Sequence, residues 1–149
     1  MPWVRVWLHF VWSTKNRHPY LTDEIRTKVF AHIRENARVK GIYIDFINGW
    51  VDHVHCLISL GTDQTIEKII QLIKGESSFW INKNKLTKAK FEWQDEYFVV
   101  SVNEGSLDRV RNYISKQEEH HKNVSFDEEF ENFLLRAGFQ KFKDRGTLG

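Results

Sequence analysis

The stretch from Trp50 to Leu60 most restricts what this chain can become. It is short, rich in β-branched and aliphatic residues, and bounded by Asn48-Gly49 before and Gly61 after, which is the pattern of a β-strand. Alternate side chains of a strand point the same way. His53 and His55 therefore share one face, and Val54, Cys56, Ile58 and Leu60 share the other. The apolar face must be buried by other elements of a sheet-containing fold. The two imidazoles open a second question, that of what covers the opposite face.

The remaining elements follow from their periodicities. Val4, Val6, Leu8, Phe10 and Trp12 alternate with Arg5, Trp7, His9 and Val11, giving a first strand with one strongly apolar face. A polar, basic loop from Ser13 to Tyr20 follows. Thr22 is placed to cap a helix, with Asp23 and Glu24 in its first turn and Ile25, Val29, Ile33 and Ala37 recurring at helical spacing. Ile42, Ile44 and Phe46 are expected inward on the next strand, with Tyr43, Asp45 and Ile47 outward, and Asn48-Gly49 signals a hairpin turn. Asp63 or Thr65 can cap a second helix, whose buried stripe reads Ile66, Ile69, Ile70, Ile73, Ser77 and Trp80. A lysine-rich connection without apolar period spans residues 82–90, and a strand runs from Tyr97 to Val102. Ser106 caps a third helix reaching about Lys122. Ser125 with Glu128 forms a capping box for a last short helix, and the tail from Lys141 is expected to fray.

This order, strand, helix, strand, strand, helix, strand and then an added helix, predicts an α+β, ferredoxin-like β-α-β-β-α-β fold. Two helices cover one face of a four-stranded antiparallel sheet, with the even-numbered strand residues buried beneath them. The domain organisation expected is a single domain over 1–149, with a core over 3–102, the third helix over about 106–122, and a C-terminal helix and tail over 125–149.

Charge and cysteine content limit the function classes. A net charge of +2 neither requires nor excludes nucleic acid, because a local patch matters more than the sum. No apolar run approaches membrane-spanning length and no signal peptide is evident. The single Cys56 rules out an internal disulfide and fits a reducing, cytoplasmic setting.

On any strand, a His-x-His pair can be two half-exposed surface histidines. Here Asp52 stands beside the pair and can orient an imidazole from behind. The third helix carries Leu107, Val110 and Ile114 as its apolar stripe, with Tyr113 and Gln117 four apart at the stripe's edge. The functional reading makes Tyr113 a nucleophile and Gln117 a metal ligand, offered together to the histidine face. Two imidazoles and one amide would leave open positions on a divalent cation for phosphate oxygens. Imidazole ligands suit Mn²⁺, while cellular abundance favours Mg²⁺. The chemistry would be phosphodiester transfer through a tyrosyl-phosphate, which conserves bond energy and so allows rejoining.

These residues resemble those of the HUH single-tyrosine transposases of small bacterial insertion sequences and their REP-associated relatives. The resemblance covers nearly the whole chain. Residues 10–17 (FVWSTKNR) resemble the family's first strand and basic loop, and Asp52-His53-Val54-His55 matches the HUH motif. Residues 91–94 (FEWQ) and 97–102 (YFVVSV) resemble the segment before the catalytic helix. Residues 111–121 (RNYISKQEEHH) match the helix carrying Tyr and, four residues on, Gln.

The resemblance implies that Tyr113 attacks single-stranded DNA bearing hairpins, forming a 5′-phosphotyrosine link and releasing a 3′-hydroxyl. It implies that His53, His55 and Gln117 bind the metal. It also implies a homodimer in which one subunit's catalytic helix can complete the other's site. His120 is read as a supporting or DNA-contacting residue. Lys15, Arg17 and His18 in the basic loop, and Lys83, Lys85, Lys88 and Lys90 in the linker, are candidate phosphate contacts; solvated loops are the alternative. The alternative to catalysis is a non-catalytic hairpin or single-stranded DNA-binding relative on the same fold. A different two-histidine phosphoesterase is weakened because it needs a second histidine motif in a matching strand, which His9 alone does not supply.

Overall fold

Alternation in the first apolar stretch produces β1 (Trp7–Thr14), whose buried side chains include Leu8, Phe10 and Trp12. The computed structural model describes residues 2–138, so the tail expected to fray from Lys141 lies outside them. After one 3₁₀ turn at Lys15–Arg17 come α1 (Asp23–Val39), β2 (Tyr43–Trp50), β3 (His53–Ser59), α2 (Ile66–Lys83) and β4 (Trp93–Val102). The sheet order is β2-β3-β1-β4 with antiparallel neighbours throughout. This is the ferredoxin-like arrangement that the element order predicts, and it places β3 in the interior of the sheet.

One face of the sheet packs under α1 and α2. Phe10, Trp12, Val54, Cys56 and Ile58 meet Val29, Phe30 and Ile33 of α1 and Ile69, Ile70, Ile73 and Ile81 of α2. The Thr65 hydroxyl caps α2 by accepting from the Lys68 amide at 3.2 Å. The opposite face is covered by α3 (Leu107–Ser115), where Leu107, Val110 and Ile114 pack with Trp7, Phe46, Leu57 and Val102. The same chain's helix therefore covers the histidine face.

Neither Thr22 nor Ser106 caps its helix through its side chain, β4 begins at Trp93 rather than Tyr97, Ile66 is exposed, and four further local details differ from the sequence pattern. In β2 the register slips between Ile44 and Phe46, so Phe46 pairs with Leu57 and Ile47 with Cys56. This bulge at Asp45 reverses the inward and outward assignment beyond it. Phe46 therefore packs toward α3 and Ile47 toward the main core. In β4 it is Val102 that faces α3 and Val99 that joins the main core, the inverse of the even-residue rule. The hairpin turn falls at Val51-Asp52 rather than Asn48-Gly49. Gly49 lies within β2, where a Cβ would sit 2.1 Å from the His53 carbonyl oxygen, so the glycine serves close strand approach.

The fourth difference is in the third helix. It was expected to continue to about Lys122, yet it breaks at Lys116 and resumes as α4 (Gln117–His120). The Asn48 side-chain amide donates to the carbonyls of Ile114 at 3.0 Å and Ser115 at 3.3 Å. Those are the carbonyls a continuous helix would offer to its next turn.

Residues through Gln117 form one compact unit and those from Glu118 on a second. In the second, α5 (Phe126–Arg136) is capped by the Ser125 hydroxyl, which accepts from the Glu128 amide at 3.2 Å, as the capping-box pattern predicts. Its buried Glu129 lies 3.2 Å from the Nε2 atoms of both His120 and His121.

Candidate active site

β3 presents His53 and His55 side by side on the α3 face, and both rings are fully buried. Each ring is fixed at Nδ1. The Asp52 carboxylate lies 2.8 Å from Nδ1 of His53, and Nε2 of His9 lies 2.8 Å from Nδ1 of His55. Asp52 is itself held by the hairpin turn, its carbonyl accepting from the Thr14 amide at 2.9 Å. An ionised carboxylate only accepts, so Nδ1 of His53 carries the ring proton. The motifs do not name His9, yet it joins this cluster. Its position on the odd face of β1, across the ladder from the histidines, is the sequence signal that could have found it.

α3 and the short α4 after the break bring the other two side chains. Oε1 of Gln117 lies 2.9 Å from Nε2 of His53, and Gln117 is fully buried. The half-buried Tyr113 ring stands edge-on to His55 with centroids 5.7 Å apart. Two anchors hold α3 there. Asn48 binds its C-terminal carbonyls, and Arg111 makes a bidentate pair with Asp45 at 2.6 and 3.1 Å. Asp45 holds the Arg111 guanidinium above its usual pKa. The bulge that reverses β2 is thus also the point where β2 grips α3.

The donor set fits a divalent cation. With Nδ1 of His53 protonated, Nε2 directs a lone pair at the Gln117 carbonyl oxygen. The Nε2 of His53 and the Gln117 side-chain amide, 2.9 Å apart, are thus close enough to serve one divalent cation together.

The basic residues fall in two neighbouring segments. Lys15 pairs with Glu92 at 3.4 Å and Arg17 with Glu96 at 3.6 Å, so part of the loop's charge is locally balanced. His18 packs on Tyr20 at 4.3 Å, and the Tyr20 hydroxyl donates to the Lys90 carbonyl at 3.1 Å. Tyr20 thereby joins the basic loop to the lysine linker. Lys83, Lys85, Lys88 and Lys90 are exposed. The linker is pinned rather than loose: the Asn82 side chain exchanges hydrogen bonds with the Phe91 backbone at 3.0 and 2.8 Å. His120 faces Glu129 within the C-terminal unit.

Comparison with known proteins decides the family. The description "Transposase IS200 like" matches residues 3–117, from before β1 to the buried glutamine. The chain belongs to the IS200-like transposase family. It is 27% identical over 115 residues to the ISDra2 transposase TnpA of Deinococcus radiodurans, covering 73% of this chain and 81% of that protein. The crystal structure of a candidate transposase from Deinococcus radiodurans R1 superposes with a TM-score of 0.64 at 24% identity, over 78% of this chain and 93% of that one. A REP-associated tyrosine transposase bound to a REP hairpin superposes with a TM-score of 0.62 at 18% identity, over 83% and 73% respectively. These two structures share the fold of this IS200-like chain. Among the described residues no helix is long and apolar enough to cross a membrane.

Proposed function

We propose that this transposase cleaves and rejoins single-stranded DNA at hairpin-bearing element ends, through a 5′-phosphotyrosine on Tyr113 and with a divalent cation, Mg²⁺ or Mn²⁺. The observation that carries this reading is the convergence of His53, His55, Gln117 and Tyr113 on the covered face of one sheet.

His53, His55 and Gln117 would hold the cation, with Asp52 orienting His53. When bound, it would polarise the scissile phosphate and offset developing charge. Tyr113, held at the rim by α3, supplies the phenol oxygen that attacks phosphorus. The P–O bond to the 3′ oxygen breaks, the phenolic proton ends on the released 3′-hydroxyl, and the 5′ phosphate stays on Tyr113. Attack by another 3′-hydroxyl reverses the step and frees the tyrosine. Burial around the two histidines keeps bulk water off the linkage, which favours rejoining over hydrolysis.

The paired basic segments joined by Tyr20 would hold phosphates near the hairpin, with Lys83, Lys85, Lys88 and Lys90 contributing more than the ion-paired Lys15 and Arg17. The protein would act as a homodimer. In the conformation described, α3 sits on its own sheet, which favours a site completed within each subunit.

The test is a covalent adduct. Wild-type protein, a single-stranded hairpin oligonucleotide and Mn²⁺ or Mg²⁺ should give a slow-migrating band on a denaturing gel, absent with Tyr113→Phe. No adduct across suitable hairpins, with hairpin binding retained, would leave a non-catalytic DNA-binding protein. An adduct unchanged in Tyr113→Phe would remove Tyr113 from the role.

A further inference from the structure

We infer that Asp45 is a positioning residue that sets, through Arg111, the angle at which Tyr113 meets the histidine face. The inference rests on the reading of Tyr113 as the nucleophile. It concerns a carboxylate on an edge strand of the sheet, away from the histidine strand.

Asp45 is the extra residue of the β2 bulge. Ile44 pairs with Ile58 and Phe46 with Leu57, and Asp45 stands outside the ladder between them. The bulge turns two successive side chains toward α3. The Asp45 carboxylate takes the Arg111 guanidinium at 2.6 and 3.1 Å, and Phe46 joins the apolar contacts of Leu107 and Ile114. In a regular strand, alternation would send one of the two to the opposite face. Arg34 of α1 donates to the carbonyls of Ile44 and Asp45, both at 3.4 Å, so α1 supports the bulge that holds α3.

The helix converts this grip into an orientation. Leu107, Val110 and Ile114 form its apolar stripe, with Arg111 on one flank and Tyr113 on the other, about 160° apart at 3.6 residues per turn. Apolar contacts are non-directional, so the stripe alone lets the helix roll. A bidentate guanidinium–carboxylate pair has a fixed direction. The side chains of Asp45 and Arg111 are 14% and 33% exposed, which limits screening of the pair. The Arg111 guanidinium also lies over the Trp7 ring, 5.9 Å from its centroid. Asp108 binds Arg111 at 3.1 Å from the same helix, so it aims the guanidinium but anchors nothing to the sheet. With the Arg111 flank held down by Asp45, the Tyr113 flank is fixed where its ring stands edge-on to His55.

The experiment uses the full chain with saturating Mn²⁺ and single-stranded hairpin oligonucleotide. Asp45→Asn keeps the side chain's size and removes its charge. Its single-turnover adduct rate should fall about 10- to 100-fold, as for a nucleophile displaced by about 1 Å, with hairpin affinity within about twofold of wild type. Arg111→Gln should slow the step similarly. The double variant should be no slower than the slower single one, because both changes remove the same contact. Nuclear Overhauser effects between the Tyr113 and His55 rings should be present in wild type and lost in Asp45→Asn and in Arg111→Gln. Those between Leu107 and Leu57 should persist, which separates a rolled helix from an unfolded one. Losses that multiply in the double variant, a parallel fall in hairpin affinity, or an Asp45→Asn protein with wild-type rate and ring contacts would overturn the role of Asp45. A wild type that forms no adduct would overturn the phosphotyrosine reading instead, and the ring contacts would still decide the positioning.

Discussion

The two faces of β3 are equally buried and chemically opposite. Val54, Cys56 and Ile58 face α1 and α2 and are fully buried, and so are His53 and His55 one residue away on the other side. On the first face burial removes apolar area from water and stabilises the fold directly. On the second it takes imidazoles out of water, and each must be compensated by a hydrogen bond. Asp52, His9 and Gln117 provide those bonds at 2.8, 2.8 and 2.9 Å. One strand thus carries a stability face and a chemistry face, and the second is tolerable only because partners arrive from β1, the hairpin turn and the chain after α3.

Exchanging damage between the two faces gives the largest effects. His55→Ala should abolish the covalent adduct while leaving the protein folded. Ile58→Ala should lower unfolding free energy by about 2–5 kcal/mol through the cavity it leaves. Its folded fraction should still form adduct. Urea melts and the denaturing gel read both, and an adduct-forming His55→Ala would break the comparison.

A mixture of His53→Ala and Tyr113→Phe proteins tests which chain's helix completes each site. With α3 on its own sheet, the mixture should stay inactive. Sites completed by the partner would instead recover about a quarter of wild-type adduct at equal mixing in a two-fold dimer.

Asp52→Ala should weaken Mn²⁺ binding about 10- to 100-fold, measured by calorimetry, with hairpin binding retained. Equal affinity would mean that the His53 ring is held by packing alone. Asn48→Ala removes the amide that donates to the α3 carbonyls and should lower stability by about 1 kcal/mol. A larger loss of adduct than of stability would show that this contact sets the position of Tyr113.

The smallest effect concerns Cys56. Burial pushes its thiol pKa up, so it should resist alkylation in the native protein and react on unfolding. The unfolded chain loses this proton above about pH 8.5 while the folded chain keeps it, so stability should fall as pH rises past that point. Rapid native labelling would show that the apolar face opens.

Much of this was legible in the pattern of residues. The alternation in β1 and β3, the caps at Thr65 and Ser125 and the His-x-His spacing each depend on nearest neighbours along the chain. What failed were features set by a partner strand or helix. The bulge at Asp45 flips Phe46 and Ile47 through pairing with β3, and the break at Lys116 goes with an Asn48 amide from another element. The lysine linker offered only its lack of apolar period, because the pins at Asn82 and Tyr20 are tertiary contacts.

The sequence by itself determined that two imidazoles would share one face of a buried strand, since the strand period allows nothing else. It also set the tyrosine and glutamine four residues apart, on what the pattern reads as one helix. Only the tertiary structure decided that α3 would cover that face of its own chain, that Gln117 would reach His53 across a broken helix, and that His9 would stand behind His55. Those depend on register and side-chain reach between elements far apart in sequence, and local periodicity carries no information about either.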